Sequence, residues 1–197
     1  MTNNTEERIY YPPGGILIWM ILSVEFLTFI PALVAFFAYY HDAPSEFAAS
    51  AAHLDLTIGT INTCVLILGG WFVAQGLAAL RENRSELSQR LFALGGLSGL
   101  LFLGLKGFEY GQKYSAGFDL AYNDFFTMYW LITGFHFLHV LVGTVLLGHT
   151  VRSISRGRYS SAEHDDVETI GVFWHMCDLI WILVFPALYI LPLGGAQ

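Results

Sequence analysis

The sequence predicts an all-α, polytopic membrane protein: five transmembrane helices in one bundle, with the N-terminus cytoplasmic and the C-terminus periplasmic. Three observations carry this reading. Of 197 residues, 55% are apolar, 16% aromatic and only 13% charged, roughly half the charged share of an ordinary soluble domain. The mean hydropathy is +0.54. Five stretches reach the ~20 mostly apolar residues that a helix needs to cross a bilayer, and none alternates apolar with polar as a barrel strand does. The same figures exclude other classes. A net charge of −7 argues against nucleic-acid binding. Cys64 and Cys177 sit inside apolar runs and form no disulfide scaffold. No phosphate loop, nucleophile elbow or paired-carboxylate pattern is present, so no catalytic residue is assigned.

Each element follows from its own residues. A tail over 1–14 ends in Pro12-Pro13-Gly14-Gly15, and the first span, 15–40, is interrupted only by Glu25. Pro31 lies within it, where neighbouring helices accommodate a kink. Asp42-Ala43-Pro44-Ser45 opens a loop to Asp55. The second span, 56–80, has no charged residue, and Arg81 to Glu86 is a tight polar link. The third, 91–110, is clean until Lys106 and Glu109, which are three residues apart and can pair across one helical turn at its outer end. The fourth, 125–151, is uncharged, and the loop after it holds Gly157, Ser160 and Ser161. The fifth, 169–193, carries His175, Asp178 and Pro186 before a short tail, 194–197. The five spans form one domain over 15–193. Tyr10, Tyr11, Tyr39, Tyr40, Tyr129, Trp130 and Tyr189 fall near span ends, as an interfacial aromatic belt requires.

Orientation follows from the basic residues, which collect on the cytoplasmic side. Seven of the nine, Arg8, Arg81, Arg84, Arg90, Arg152, Arg156 and Arg158, fall on one side. Only Lys106 and Lys113 fall on the other. Glu6 and Glu7 precede Arg8, unlike the basic start of a cleavable signal peptide.

At ~1.5 Å per helical residue, Glu25, His136, His139, His175 and Asp178 all lie in the middle part of a ~30 Å hydrocarbon layer. An ionisable group there costs at least ~2.5–3.5 kcal/mol on insertion scales, so each is expected to be paired and turned from lipid. His136 and His139 are three residues apart, as are His175 and Asp178, and Glu168 stands two turns below His175. Antiparallel packing of the fourth and fifth spans would bring a His–His face against a His–Asp face in one buried polar layer. Three roles compete for that layer: a metal or heme ligand set, a proton relay, or hydrogen-bonded glue within a larger complex.

The wording of these segments is familiar. Thr133-Gly134-Phe135-His136-Phe137-Leu138-His139-Val140-Leu141-Val142-Gly143 resembles the TGxHxxHVxxG segment of subunit III of heme–copper oxidases. Glu168 followed by Trp174-His175-Met176-Cys177-Asp178-Leu179-Ile180-Trp181 resembles that family's E…WHxxDxxW segment. Phe108-Glu109-Tyr110 resembles its acidic-aromatic pair, and Ser23-Val24-Glu25 its buried glutamate after a serine, here with a valine between the two. The short Trp174–Trp181 wording is also similar to members associated with nitric oxide reductase.

The resemblance implies a short, five-helix bacterial subunit III, an accessory chain of a respiratory complex in the bacterial inner membrane. Such a chain holds no heme, copper or other metal of its own; heme and copper or iron belong to the catalytic subunit I, its partner. It sustains proton uptake and often holds phospholipid. Glu25, His136, His139, Glu168, His175 and Asp178 then form the structural polar layer, and Glu25 and Glu109 are lipid- or proton-related. A nitric oxide reductase accessory subunit is the alternative parent complex. A small transporter or proton channel is the alternative of a different class.

Overall fold

The computed structural model describes residues 15–194; the tail over 1–14, with Arg8, Tyr10 and Tyr11, and the last three residues lie outside the described residues. The described chain is helical throughout. Its elements are α1 (Gly15–Asp42), α2 (Pro44–Ala51), α3 (Leu56–Arg81), α4 (Ser85–Ser115), α5 (Asp124–Ser155) and α6 (Asp165–Phe185). A π-helical turn (Pro186–Ile190) and α7 (Leu191–Gly194) continue the last of these. Five helices are long and apolar enough to span a membrane: α1, α3, α4, α5 and the continuous Asp165–Gly194 rod.

The helices overrun the spans of the sequence reading: α5 ends at Ser155 rather than 151 and the last rod begins at Asp165 rather than 169, and two further differences are larger. The third span extends from Ser85 to Ser115 rather than from 91 to 110. Hydropathy marks the greasy middle of a helix, whereas good helix formers such as Glu86, Gln89 and Gln112 carry the backbone ladder beyond it. The expected loop over 42–55 contains α2, with Pro44 in its first turn and Phe47, Ala48 and Ala51 buried. An eight-residue helix is too short for a periodicity signal but long enough to dock a phenylalanine.

Local chemistry fixes the ends. The Asp55 carboxylate accepts from the Thr57 and Ile58 amides at 2.9 and 3.0 Å and caps α3. Asn123 does the same for α5 through Phe126 N–H at 2.9 Å, while its Nδ2 donates to Ser50 Oγ at 2.8 Å and ties α2 to α5. α4 and α5 end alike. Gly117 and Gly157 take φ of +84° and +68°, and Phe118 and Arg158 N–H reach back to the Lys113 and Ser153 carbonyls at 3.0 and 3.1 Å. That is the Schellman arrangement, which needs a left-handed residue. Asn83, at φ +60°, plays the same part after α3.

α3, α4, α5 and α6 make a four-helix core, and α1 lies outside it against α5 and α6. Close approach rests on missing side chains. A Cβ on Gly69 would collide with Ser98, and one on Gly99 with Thr144 and with Trp174 Cη2 at 2.7 Å. Trp174 and Trp181 of α6 fill the space so created, and both are buried. Leu27, Val34, Leu97, Leu100, Leu138 and Val145 stay exposed, as a lipid-facing surface requires.

Gly99→Ala is expected to destabilise the protein by about 1–3 kcal/mol through overpacking against Trp174. Gly104→Ala, whose Cβ meets nothing within 4 Å, is expected to leave stability unchanged or raised. Thermal unfolding of the detergent-purified protein checks the pair; equal melting temperatures would remove the packing argument.

Candidate functional site

The polar residues of the spans do not form one layer. They fall into four groups, each at a different helix seam, and the largest surrounds Lys106 and Glu109.

Lys106 and Glu109 have no exposed side-chain surface, and their charged atoms lie 3.2 Å apart. Lys106 Nζ also donates to Tyr129 OH at 3.1 Å and to Tyr189 OH. Both tyrosines donate in turn to Glu109 Oε1, at 2.9 and 2.6 Å. The three protons of an ammonium therefore meet the carboxylate and two phenol oxygens, while the two phenol protons meet the other carboxylate oxygen. The faces of Tyr110, Tyr129, Trp181 and Tyr189 stand 4.8–5.4 Å from Nζ, within range of cation–π attraction. The π-helical turn carries the buried Tyr189 that completes the group. Such single π turns recur where a helix must re-aim a side chain at a functional point. The sequence reading pairs Lys106 with Glu109 at the outer end of a span, as the structure does, and places Tyr129 and Tyr189 in an interfacial belt. The structure corrects the surroundings: all four are enclosed. Glu109 accordingly has no surface to offer a lipid headgroup.

Glu25 finds its partner on α5. Its Oε1 stands 3.0 Å from His139 Nε2, with both side chains mostly buried. His139 Nδ1 faces the Phe135 carbonyl at 2.8 Å, so Nδ1 carries a proton. Phe29, Phe135 and Phe173 pack around the imidazole.

His136 faces a different seam. It is fully buried, stacked on Trp181 with centroids 5.1 Å apart, and edged by Phe102 and Phe29. Neither ring nitrogen has a hydrogen-bond partner among the described residues. The sequence reading joins His136 and His139 against His175 and Asp178. Three residues on a helix are about 60° apart, and α5 sits between α1 and the α4–α6 core. That rotation turns His136 toward Trp181 and Phe102 and His139 toward Glu25, with Phe29 edging both rings.

His175 and Asp178 keep to their own helix, with Nδ1 and Oδ2 3.4 Å apart. Asp178 packs over Gly70 of α3, where a Cβ would meet its carboxylate. Glu168 belongs to none of these groups. It sits at the arginine-rich end, bonded to Arg81 and 3.5 Å from His164 Nε2, and ties the start of α6 to the end of α3. Among the described residues, no three His, Cys, Asp or Glu side chains converge as a metal site.

Several participants carry no signal in the sequence reading. Arg81 counts there only as a loop charge, and Trp181 only as part of a motif. Thr63, whose Oγ1 accepts from Trp181 Nε1 at 2.9 Å, is not singled out at all. The i, i+3 spacing of Lys106 and Glu109 is a usable signal; their tyrosines lie 20 and 80 residues away from Glu109.

The fold and its sites define a class: a five-span helical membrane bundle with enclosed ion pairs at its seams. A family model described as cytochrome c oxidase subunit III matches residues 14–192. The chain is 31% identical over 178 residues to "Cytochrome c oxidase subunit 3" of Thermostichus vulcanus, covering 90% of this chain and 86% of that one. It is 30% identical over 173 residues to "Cytochrome c oxidase subunit 3" of Synechocystis sp., covering 87% and 73%. "Heme-copper oxidase subunit I+III" of Aeropyrum pernix is 30% identical over 188 residues, which are 87% of this chain and 22% of that one. The chain belongs to the cytochrome c oxidase subunit III family.

Glu109→Ala leaves Lys106 a buried, unpaired cation and is expected to cost about 3–5 kcal/mol; Lys106→Met with Glu109→Gln is expected to cost less than that single change. Thermal unfolding of the purified variants decides. Single variants within about 0.5 kcal/mol of wild type, the range of neutral surface changes, would mean that the pair is not enclosed.

Proposed function

We propose that this chain is a non-redox accessory subunit of a respiratory heme–copper terminal oxidase in a bacterial inner membrane. It packs against the catalytic, heme-bearing subunit I, stabilises it, and supports proton uptake during aerobic electron transport. The observation that carries the reading is the subunit III family match, which spans the whole bundle. The Aeropyrum pernix relative, whose name joins subunits I and III in one polypeptide, supports a partner of the first kind.

The site geometry is consistent with a chain that holds no redox centre. His139 bonds Glu25 and the Phe135 carbonyl, His175 faces Asp178, and His136 is stacked among rings. Heme and copper or iron belong on this reading to the partner. Glu25 is the residue best placed to act on protons, because its pair with His139 lies at mid-depth at the seam of the most loosely held helix, α1. The same seam is where a phospholipid chain would lie.

A cytoplasmic N-terminus and periplasmic C-terminus fit the basic residues. Arg81, Arg84, Arg90, Arg152, Arg156 and Arg158 cluster at one end. Lys106 and Lys113, counted on the opposite side, are both buried. Among the described residues that side therefore exposes no lysine or arginine side chain, which steepens the asymmetry.

An affinity-tagged chain is expected to bring down a larger heme-bearing subunit from solubilised membranes, yet to show no Soret band when purified alone. A Soret band on the isolated chain, or capture without heme, would sink the assignment. Glu25→Gln is expected to leave the complex's hemes and initial rate in place while activity decays faster over many turnovers. Unchanged endurance would reduce Glu25 to packing.

A further inference from the structure

Among the described histidines, lysines and carboxylates at mid-depth, His175 is the one that the bundle leaves half uncovered. It lies ten residues into α6, roughly 15 Å from that helix's start. Its neighbour Gly70 lies fourteen residues into the antiparallel α3, about 21 Å from the other end. The side chain of His175 is 47% exposed, against 10% for Asp178, 14% for Glu25 and 12% for His139. Lys106, Glu109 and His136 are fully buried. Asp178 Oδ1 has no hydrogen-bond partner, and the only interaction of the His175 imidazole among the described residues is through Nδ1.

His175 heads a stripe. Leu179, Ile182 and Leu183 follow it at helical spacing and are also exposed, between the seam of α6 with α3 and its seam with α1. Elsewhere the exposed surfaces of α1, α4 and α5 suit lipid. At mid-depth their exposed side chains are apolar, or, like Ser23 and Thr28, bond their own helix's carbonyls. Acyl chains offer an imidazole nothing, and headgroups do not reach this depth. A second copy in two-fold packing along the stripe would set His175 against its own equivalent, where only one of the two imidazoles can donate to the other and the symmetry is broken.

We propose that this stripe of α6 is the docking face for a transmembrane helix of the heme-bearing subunit, apolar along its length and carrying one hydrogen-bonding side chain opposite His175. The stripe's shape selects a helix, and the polar point within an apolar field sets its register, as single polar positions do in helix pairs. The naming of the occupant rests on the functional reading above.

The test uses the assembled complex. In a Cys64→Ala background, Leu179→Cys on α6 and Leu138→Cys on α5 are labelled with a short maleimide photocrosslinker. Leu179→Cys is expected to crosslink to the heme-bearing subunit and Leu138→Cys to lipid. His175→Leu is expected to lower retention of that subunit roughly three- to tenfold, the range of one membrane hydrogen bond, with His175→Gln restoring most of it. Crosslinking of Leu179→Cys to lipid or to a second copy, while the tagged chain still retains heme, would overturn the docking face and leave the function standing. A wild-type chain that retains no heme-bearing subunit overturns the functional reading instead, and with it the occupant.

Discussion

A hydrocarbon interior contains no water to solvate a charge, so a charged group inside this bundle must be neutralised by its own neighbours. Lys106 and Glu109 show what that demands. Their pairing across one turn is local, but two further phenols are needed before every proton has an acceptor. One comes from α5 and the other from the π turn beyond α6, so three helices must converge on a single point. The glycines of α3 and α4 let the backbones approach closely enough, and Trp174 and Trp181 seal the interior. Packing and polar satisfaction are here one requirement.

Two of the remaining polar pairs each close a different seam. Glu25 and His139 hold α1 to α5, and Arg81 with Glu168 locks α3 to α6 at the arginine-rich end. α1 buries few residues, Ile18, Leu22, Phe29 and Phe36, so a single mid-depth pair has a large share in placing it. Buried pairs are not strong stabilisers in themselves, since desolvation offsets much of their attraction. What they provide is register: a helix that slides or rotates strands a charge. For a chain whose partners carry the chemistry, a fixed outer shape matters more than maximal stability. The uncovered His175 then marks where that shape is meant to meet another.

The spans were legible because a bilayer imposes length and apolarity on each helix regardless of its neighbours. Helix ends were not, since the backbone ladder runs on into polar residues such as Ser85 and Gln112 where hydropathy is silent. Depth was legible from counting residues: of the five groups it singles out, Glu25 and His139 face each other, whereas His136 has no hydrogen-bonding neighbour and His175 is half exposed. Pairing was not. His136 and His139 share a spacing but not a seam, and Glu25's partner lies more than a hundred residues along the chain. Tyr129 and Tyr189 read as an interfacial belt because aromatic residues near span ends usually are one. Only the convergence of α4, α5 and the π turn shows them to be ligands of an ion pair.

The bundle encloses a satisfied ion pair rather than a neutral acid beside a neutral amine. The ionised form gains the attraction of four ring faces around Lys106. Infrared difference spectroscopy of the purified protein, wild type against Glu109→Gln, reads this directly. The expected result is loss of ionised carboxylate bands with no change in the protonated carboxyl region. Loss of a protonated carboxyl band instead would show that the pair is neutral, and would contradict the account at its root.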